Sequence, residues 1–257
     1  MKKQSKWLLV GSLMCIGVGS VFHQGYGVID DESTWEQKAV EAGITKVELE
    51  KVKKGFFTYQ QIVEGHECWY KFNKVKDSED VTDEKKLELL KDAAGNGNEK
   101  AIDHLLEAYE SGWYGLQEND REGLVLAQKY ADQGSEQAIW YLLSAYLYGW
   151  YGLQENNSEG LKLAIKYADQ GSENAIRHLL SAYQYRNYGL QENNSEGLVF
   201  AQKYADQGSE KAIDYLLEAY QKGWYGLQAN DPEGLVLAQK YADLGSEKAI
   251  RFLKEHK

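Results

Sequence analysis

Between residues 83 and 257 the apolar positions fall into two helical stripes that alternate along the chain and return every 37 residues. In the first stripe Leu124, Ala127 and Ala131 stand at i, i+3 and i+7; in the second, Ala138, Ile139, Leu142, Leu143, Ala145 and Tyr146 keep the same period. That spacing places each set on one face of an α-helix. The pattern therefore predicts helices in pairs.

The punctuation repeats with the stripes. Asp120, Asn157, Asn194 and Asp231 stand before the first helix of successive pairs, where a short acceptor satisfies free amides. Pro232 follows Asp231, at the one helical position where a missing N–H costs nothing. Glu122, Glu159, Glu196 and Glu233 lie in the first turn, where the helix dipole favours an acid. Gly134, Gly171, Gly208 and Gly245 end that helix. A loop written Gly-Trp-Tyr-Gly-Leu-Gln follows the second helix at Gly112, Gly149 and Gly223, with Arg186-Asn187-Tyr188-Gly189-Leu190-Gln191 as a variant.

The array starts before the obvious copies. Asp83, Leu87, Gly97 and Ala101-Ile102 lie 37 residues ahead of Asp120, Leu124, Gly134 and Ala138-Ile139. Five helix pairs result, and a constant period of this size specifies a stack whose units pack only on their neighbours. In four of the five units one residue opposes its own helix: Gly123, Gly160, Gly197 and Gly234 cost roughly 0.5–1 kcal/mol apiece relative to alanine. Their return in four units predicts a close helix approach.

Upstream the pattern changes. Residues 1–27 begin with Lys2, Lys3 and Lys6 and continue through an uncharged apolar run, residues 7–22, to Gly25 and Gly27. That order is a signal peptide or a membrane anchor, although the run is short for a span. Cys15 would suit a lipoprotein, but Ser12 and Met14 depart from the usual lipobox. Residues 28–82 read as an N-terminal cap over the first unit. Within it residues 30–55 read as two short helices opened by capping boxes at Ser33/Glu36 and Thr45/Glu48, and residues 56–75 read as an aromatic, irregular stretch.

Composition sharpens this picture. One proline in 257 residues suits helices, and 19 tyrosines with 7 tryptophans supply large packing groups. Net charge is -11; loss of residues 1–27 removes three lysines and no acid, making it -14. Such a surface repels phosphate backbones and anionic lipid and suits a basic protein partner. With the leader gone Cys68 is the one remaining cysteine, so no internal disulfide can form.

These positions resemble the Sel-one-like repeat family, relatives of the tetratricopeptide repeat. The match runs Gly123, Lys129, Ala131, Gly134, Ala138, Leu142, Tyr146, Gly149 and Gly152, and holds in register through each copy over residues 83–257. Three departures stand out: a unit of 37 rather than the usual 36, Leu143, Leu180 or Leu217 where the family has glycine, and Gly123 and its equivalents where it has alanine. The resemblance implies an all-α, right-handed α-solenoid that binds proteins without catalysis, often in bacterial envelopes. Several secreted members look like immunity proteins against type VI secretion lipase effectors. A periplasmic or envelope-associated protein of that kind, held in place or released by its N-terminal segment, is the expectation here, with a secreted adaptor as the alternative.

In arrays of this kind the helix opened by Ser-Glu-x-Ala lines the concave face. Positions there that differ between copies are candidates for partner binding, because packing positions should repeat. They are Asp103, Glu107 and Glu110; Trp140, Ser144, Leu147 and Tyr148; Arg177, Ser181, Gln184, Tyr185 and the neighbouring Arg186; and Asp214, Glu218, Gln221 and Lys222. Trp113, Trp150 and Trp224, with the loop tyrosines, read as staples from one unit to the next. His66-Glu67-Cys68 lacks a second ligand pair or a nucleophile–base spacing, and His104 and His178 stand two units apart. Neither a cofactor nor a metal site is expected, and no phosphate-cradling loop occurs.

Overall fold

The computed structural model describes residues 43–118, 120–191 and 195–256. Among them are twelve α-helices and no strand. Helices α1 (Lys46–Lys53) and α2 (Tyr59–Val75) precede five pairs: α3 (Asp83–Gly95) with α4 (Glu99–Ser111), α5 (Arg121–Asp132) with α6 (Glu136–Tyr148), α7 (Glu159–Asp169) with α8 (Glu173–Tyr185), α9 (Glu196–Asp206) with α10 (Glu210–Lys222), and α11 (Pro232–Asp243) with α12 (Glu247–Glu255). The chain is an α-solenoid.

The caps form where the sequence places them. Asp120 accepts from the Glu122 amide at 3.0 Å and Asp231 from the Glu233 amide at 3.0 Å. Asn157 does the same for Glu159 at 3.0 Å. Asn194 and the helix expected near Ser33 lie outside the described residues. The stretch 56–75, expected to be irregular, is the 17-residue helix α2, opened by a capping box between Thr58 and Gln61. Ile62, Gly65 and Phe72 form its buried stripe, and Phe72 and Trp69 reach His104 of α4 at ring distances of 5.3 and 6.1 Å. In this way α2 covers the face that a preceding unit would cover elsewhere.

Two side-chain ladders join the units at the repeat spacing. On one edge Ser135, Ser172, Ser209 and Ser246 donate to Glu99, Glu136, Glu173 and Glu210 at 2.8–2.9 Å. Each serine also caps its own helix, so one hydroxyl satisfies an amide and bridges to the preceding unit. On the other edge Tyr167, Tyr204 and Tyr241 donate to Asp132, Asp169 and Asp206 at 2.9, 2.7 and 2.9 Å. Lys166, Lys203 and Lys240 reach the same carboxylates. These lysine pairs are half exposed and contribute little by themselves.

At the N-terminal end the first ladder runs into the cap. Lys51, 2% exposed, pairs with Glu99, and Glu48, 1% exposed, accepts the Glu99 amide at 3.2 Å. Burial pushes the Glu48 carboxyl up, but hydrogen bonds from His66 and Thr45 outweigh it and hold the group below the usual carboxylate range. The buried charges thus answer one another.

Candidate functional site

The second helices of successive pairs pack directly on one another along the stack, whereas the first helices meet mainly through the second helices and the Tyr–Asp ladder. This directly packed row defines what is called the inner face of the stack. The inner face is therefore built from α4, α6, α8, α10 and α12.

Each loop lays its tyrosine against that row, and three of the four add a tryptophan. In all four loops the tyrosine is left-handed, with φ of 54° at Tyr114, 56° at Tyr151, 58° at Tyr188 and 57° at Tyr225. A bulky residue adopts that conformation only where its surroundings fix it. Here the ring does so: Tyr151 is 1% exposed and covers Gly123, Tyr188 covers Gly160, and the Tyr188 hydroxyl donates to the Leu143 carbonyl of the preceding unit at 3.3 Å. The ring thus locks the two helices of its own pair together, and at Tyr188 it also bonds to the preceding unit. The tryptophans, expected with the tyrosines to staple one unit to the next, lie instead on their own unit's second helix, with Trp113 5.4 Å from His104 and Trp224 5.4 Å from Tyr215.

A row of His104, Tyr141, His178 and Tyr215 receives the loop residues. Tyr114 hydroxyl is 2.8 Å from His104, Tyr188 hydroxyl is 2.5 Å from His178, and Tyr215 meets Tyr225 hydroxyl to hydroxyl. Burial and the adjacent Arg177 charge push the His178 imidazole down to about 4, so it is neutral at physiological pH. The two histidines set loop geometry; each is bonded to its own tyrosine and neither faces the other.

The candidate binding residues divide into three groups along the inner face. In the first unit Asp103, Glu107 and Glu110 are half-buried carboxylates; burial, then the neighbouring Glu107, raises the Glu110 carboxyl above its ordinary range. In the second unit Trp140 is 37% and Tyr148 59% exposed, and Leu147 is half-buried. Trp140 meets Tyr141 at 4.9 Å and Trp150 at 6.1 Å, and Tyr148 meets Trp150 at 5.8 Å. Ser144 is shut away at 2% exposure, one helical turn from Trp140 on one side and from Tyr148 on the other, so it is not on display. Tyr141 ties the first two groups together: burial, then the charges of Asp103, Glu107 and Glu110, raise its hydroxyl far above the ordinary phenol range.

The remaining candidates are spread over the later units. Arg177 and Tyr185 are exposed, the latter at 68%. Arg186 is exposed and holds the left-handed cap of α8 at φ 60°, where Gly112, Gly149 and Gly223 stand in the other copies. Asp214 is occupied by Lys248 at 2.6 Å and Glu218 by Lys222 at 3.1 Å. Two residues outside the candidate list, Tyr141 and Trp150, belong to the aromatic group. Their ten-residue and shorter spacings to the loop carry that information only once the loop's path is known.

His66, Glu67 and Cys68 do not converge. His66 is 3.1 Å from Glu48 in the cap, and burial pushes the half-buried Cys68 thiol up, away from the reactive thiolate. Among the described residues no group of three or more His, Cys, Asp and Glu side chains could hold a metal ion, and no helix is long and apolar enough to cross a membrane.

Fold and face together define a class: an α-solenoid of 37-residue helix pairs that presents a non-repeating aromatic and acidic inner surface. No protein-family model and no curated protein matches the chain. Solved structures similar to it include a protective antigen present in uropathogenic Escherichia coli strains and displaying an SLR fold, at 25% identity and TM-score 0.43 over 65% of this chain and 35% of that one. A Sel1 repeat protein from Oxalobacter formigenes is 23% identical, with TM-score 0.45 over 68% of this chain and 50% of that one. A Pseudomonas aeruginosa protein is 22% identical, with TM-score 0.37 over 75% of this chain and 69% of that one. The chain thus spans about a third of the first of these proteins and half of the second.

Proposed function

We propose that this chain is an exported, non-enzymatic binding protein of the bacterial envelope, and specifically an immunity protein that neutralises an antibacterial (phospho)lipase effector of type VI secretion. The observation that carries the binding reading is the inner face of the first two units. There large aromatic rings stay partly exposed at positions that differ from copy to copy, beside three carboxylates. Rigid aromatics at the centre of a concave surface bury much area at small entropic cost, which is the make-up of a binding hot spot. The envelope location rests on the basic and apolar character of residues 1–27, and the effector on the resemblance in repeat pattern.

The test is protection. Cells carrying the effector gene that neighbours this one survive only when the full-length protein is co-expressed, and the two proteins co-purify. Trp140→Ala with Tyr148→Ala removes protection while leaving the helical circular-dichroism signal intact. Equal survival with and without the protein, for every neighbouring toxin gene, refutes the reading.

A further inference from the structure

The fourth unit contains a small worked example of what a loop tryptophan can hold. Lys222 places its ammonium 5.0 Å from the centroid of the Trp224 ring and 3.1 Å from the Glu218 carboxylate. A cation over an indole face with a carboxylate beside it is a stable combination, since the ring quadrupole and the acid both attract it. The array therefore satisfies this tryptophan with its own side chain.

Two units earlier the same three positions read differently. Tyr148 stands in place of Lys222, Ser144 in place of Glu218, and Trp150 in place of Trp224. The tryptophan remains, but the cation is gone, and among the described residues no cation–π contact reaches Trp140, Tyr148 or Trp150. Instead more ring surface has been added: Trp140 stands at 64° to Trp150, and Tyr148 lies at 33° to it. The acid is supplied from the neighbouring unit, where Asp103, Glu107 and Glu110 stand on α4 at the positions that Trp140, Ser144 and Leu147 hold on α6, and the two helices pack directly on one another. In the following unit Arg177 and Arg186 are exposed bases, which gives the site an acidic side and a basic side.

We infer that the aromatic cluster of the second unit, fringed by Asp103, Glu107 and Glu110, receives an arginine or lysine side chain from a basic segment of the partner protein. The cation enters from the side of the first unit, where charge complementarity is greatest, and stacks on the rings of Trp140, Trp150 and Tyr148. The inference rests on the protein-binding reading above and names the chemistry that this surface selects.

The full-length chain is titrated with a short synthetic peptide of alternating arginine and glycine, and in parallel with its citrulline counterpart, which keeps the shape and loses the charge. Indole N–H signals are followed by NMR. The arginine peptide shifts Trp140 and Trp150 saturably and leaves Trp69 in place; the citrulline peptide does not. Trp140→Ala weakens binding roughly tenfold. The pair Glu107→Gln and Glu110→Gln, which preserves packing, weakens it by a similar factor and serves even if the tryptophan variant folds poorly. Equal binding of both peptides, arginine binding that ignores both variants, or no shift at Trp140 and Trp150 overturns the inference. Any of these leaves the functional reading standing, because protection against the intact toxin is measured separately.

Discussion

The ring of Tyr151 lies on Gly123 so closely that a β-carbon there would come within 2.7 Å of it, and within 2.8 Å of the Tyr109 β-carbon on the other side. A helical glycine to alanine change normally stabilises by about 0.5–1 kcal/mol. At Gly123 the methyl has nowhere to go, so Gly123→Ala destabilises by roughly 1–3 kcal/mol. Gly95, also helical but with open space around it, shows the ordinary sign. Urea midpoints of the two variants, moving in opposite directions, check the contrast.

Arg186 carries the left-handed cap of α8 that glycine carries in the other copies. A side chain in that conformation costs about 1 kcal/mol that glycine does not incur. Arg186→Gly raises stability by about that amount in thermal or urea unfolding. If protection is lost in the same variant, Arg186 is held in strain for the partner's sake.

His178 makes the array sensitive to mild acid. Its imidazole titrates near 4 in the fold against 6.5 in the open chain, so the unfolded state takes up the proton first. Stability from this group is complete above about 6.5 and falls as pH drops toward 4, by roughly 3 kcal/mol at most. His178→Tyr, which copies Tyr141 and Tyr215, flattens the unfolding midpoint over that range. An unchanged pH slope in the variant contradicts this account.

Lys51 neutralises the carboxylate side of the cap. Lys51→Met leaves Glu99 buried without its cation and costs about 3–5 kcal/mol. Adding Glu99→Gln removes the stranded charge and restores most of the loss, since the amide oxygen still accepts from Ser135. Differential scanning calorimetry of the single and double variants separates charge from packing.

What the sequence makes legible is whatever each unit must solve in the same way. Gly123 and its equivalents announce a close contact because their helix cost recurs, and the serine of each Ser-Glu-x-Ala start announces a cap. The partner of each contact is not legible. Nothing in the order Trp-Tyr-Gly says that the tyrosine goes in and the tryptophan stays at the rim, because that depends on the left-handed turn at the tyrosine. Helix α2 was hidden for another reason: its stripe of Ile62, Gly65, Trp69 and Phe72 is interleaved with Tyr59, Val63, Cys68 and Tyr70, which blurs the period. At the inner face, variability singles out Trp140 and Tyr148, which are exposed, and Ser144, which is not. Burial there comes from neighbours one turn away, which a column of copies does not reveal.

The serine–glutamate ladder gives the stack a direction. Every rung from Ser135 onward is answered by the unit before it, while the first glutamate is answered by a lysine that no repeat possesses. Units can therefore be inserted or deleted by whole 37-residue steps beyond that point without disturbing a single rung, but the founding pair cannot be exchanged for any other copy. The stack can thus be lengthened or shortened at its far end while its starting end stays put.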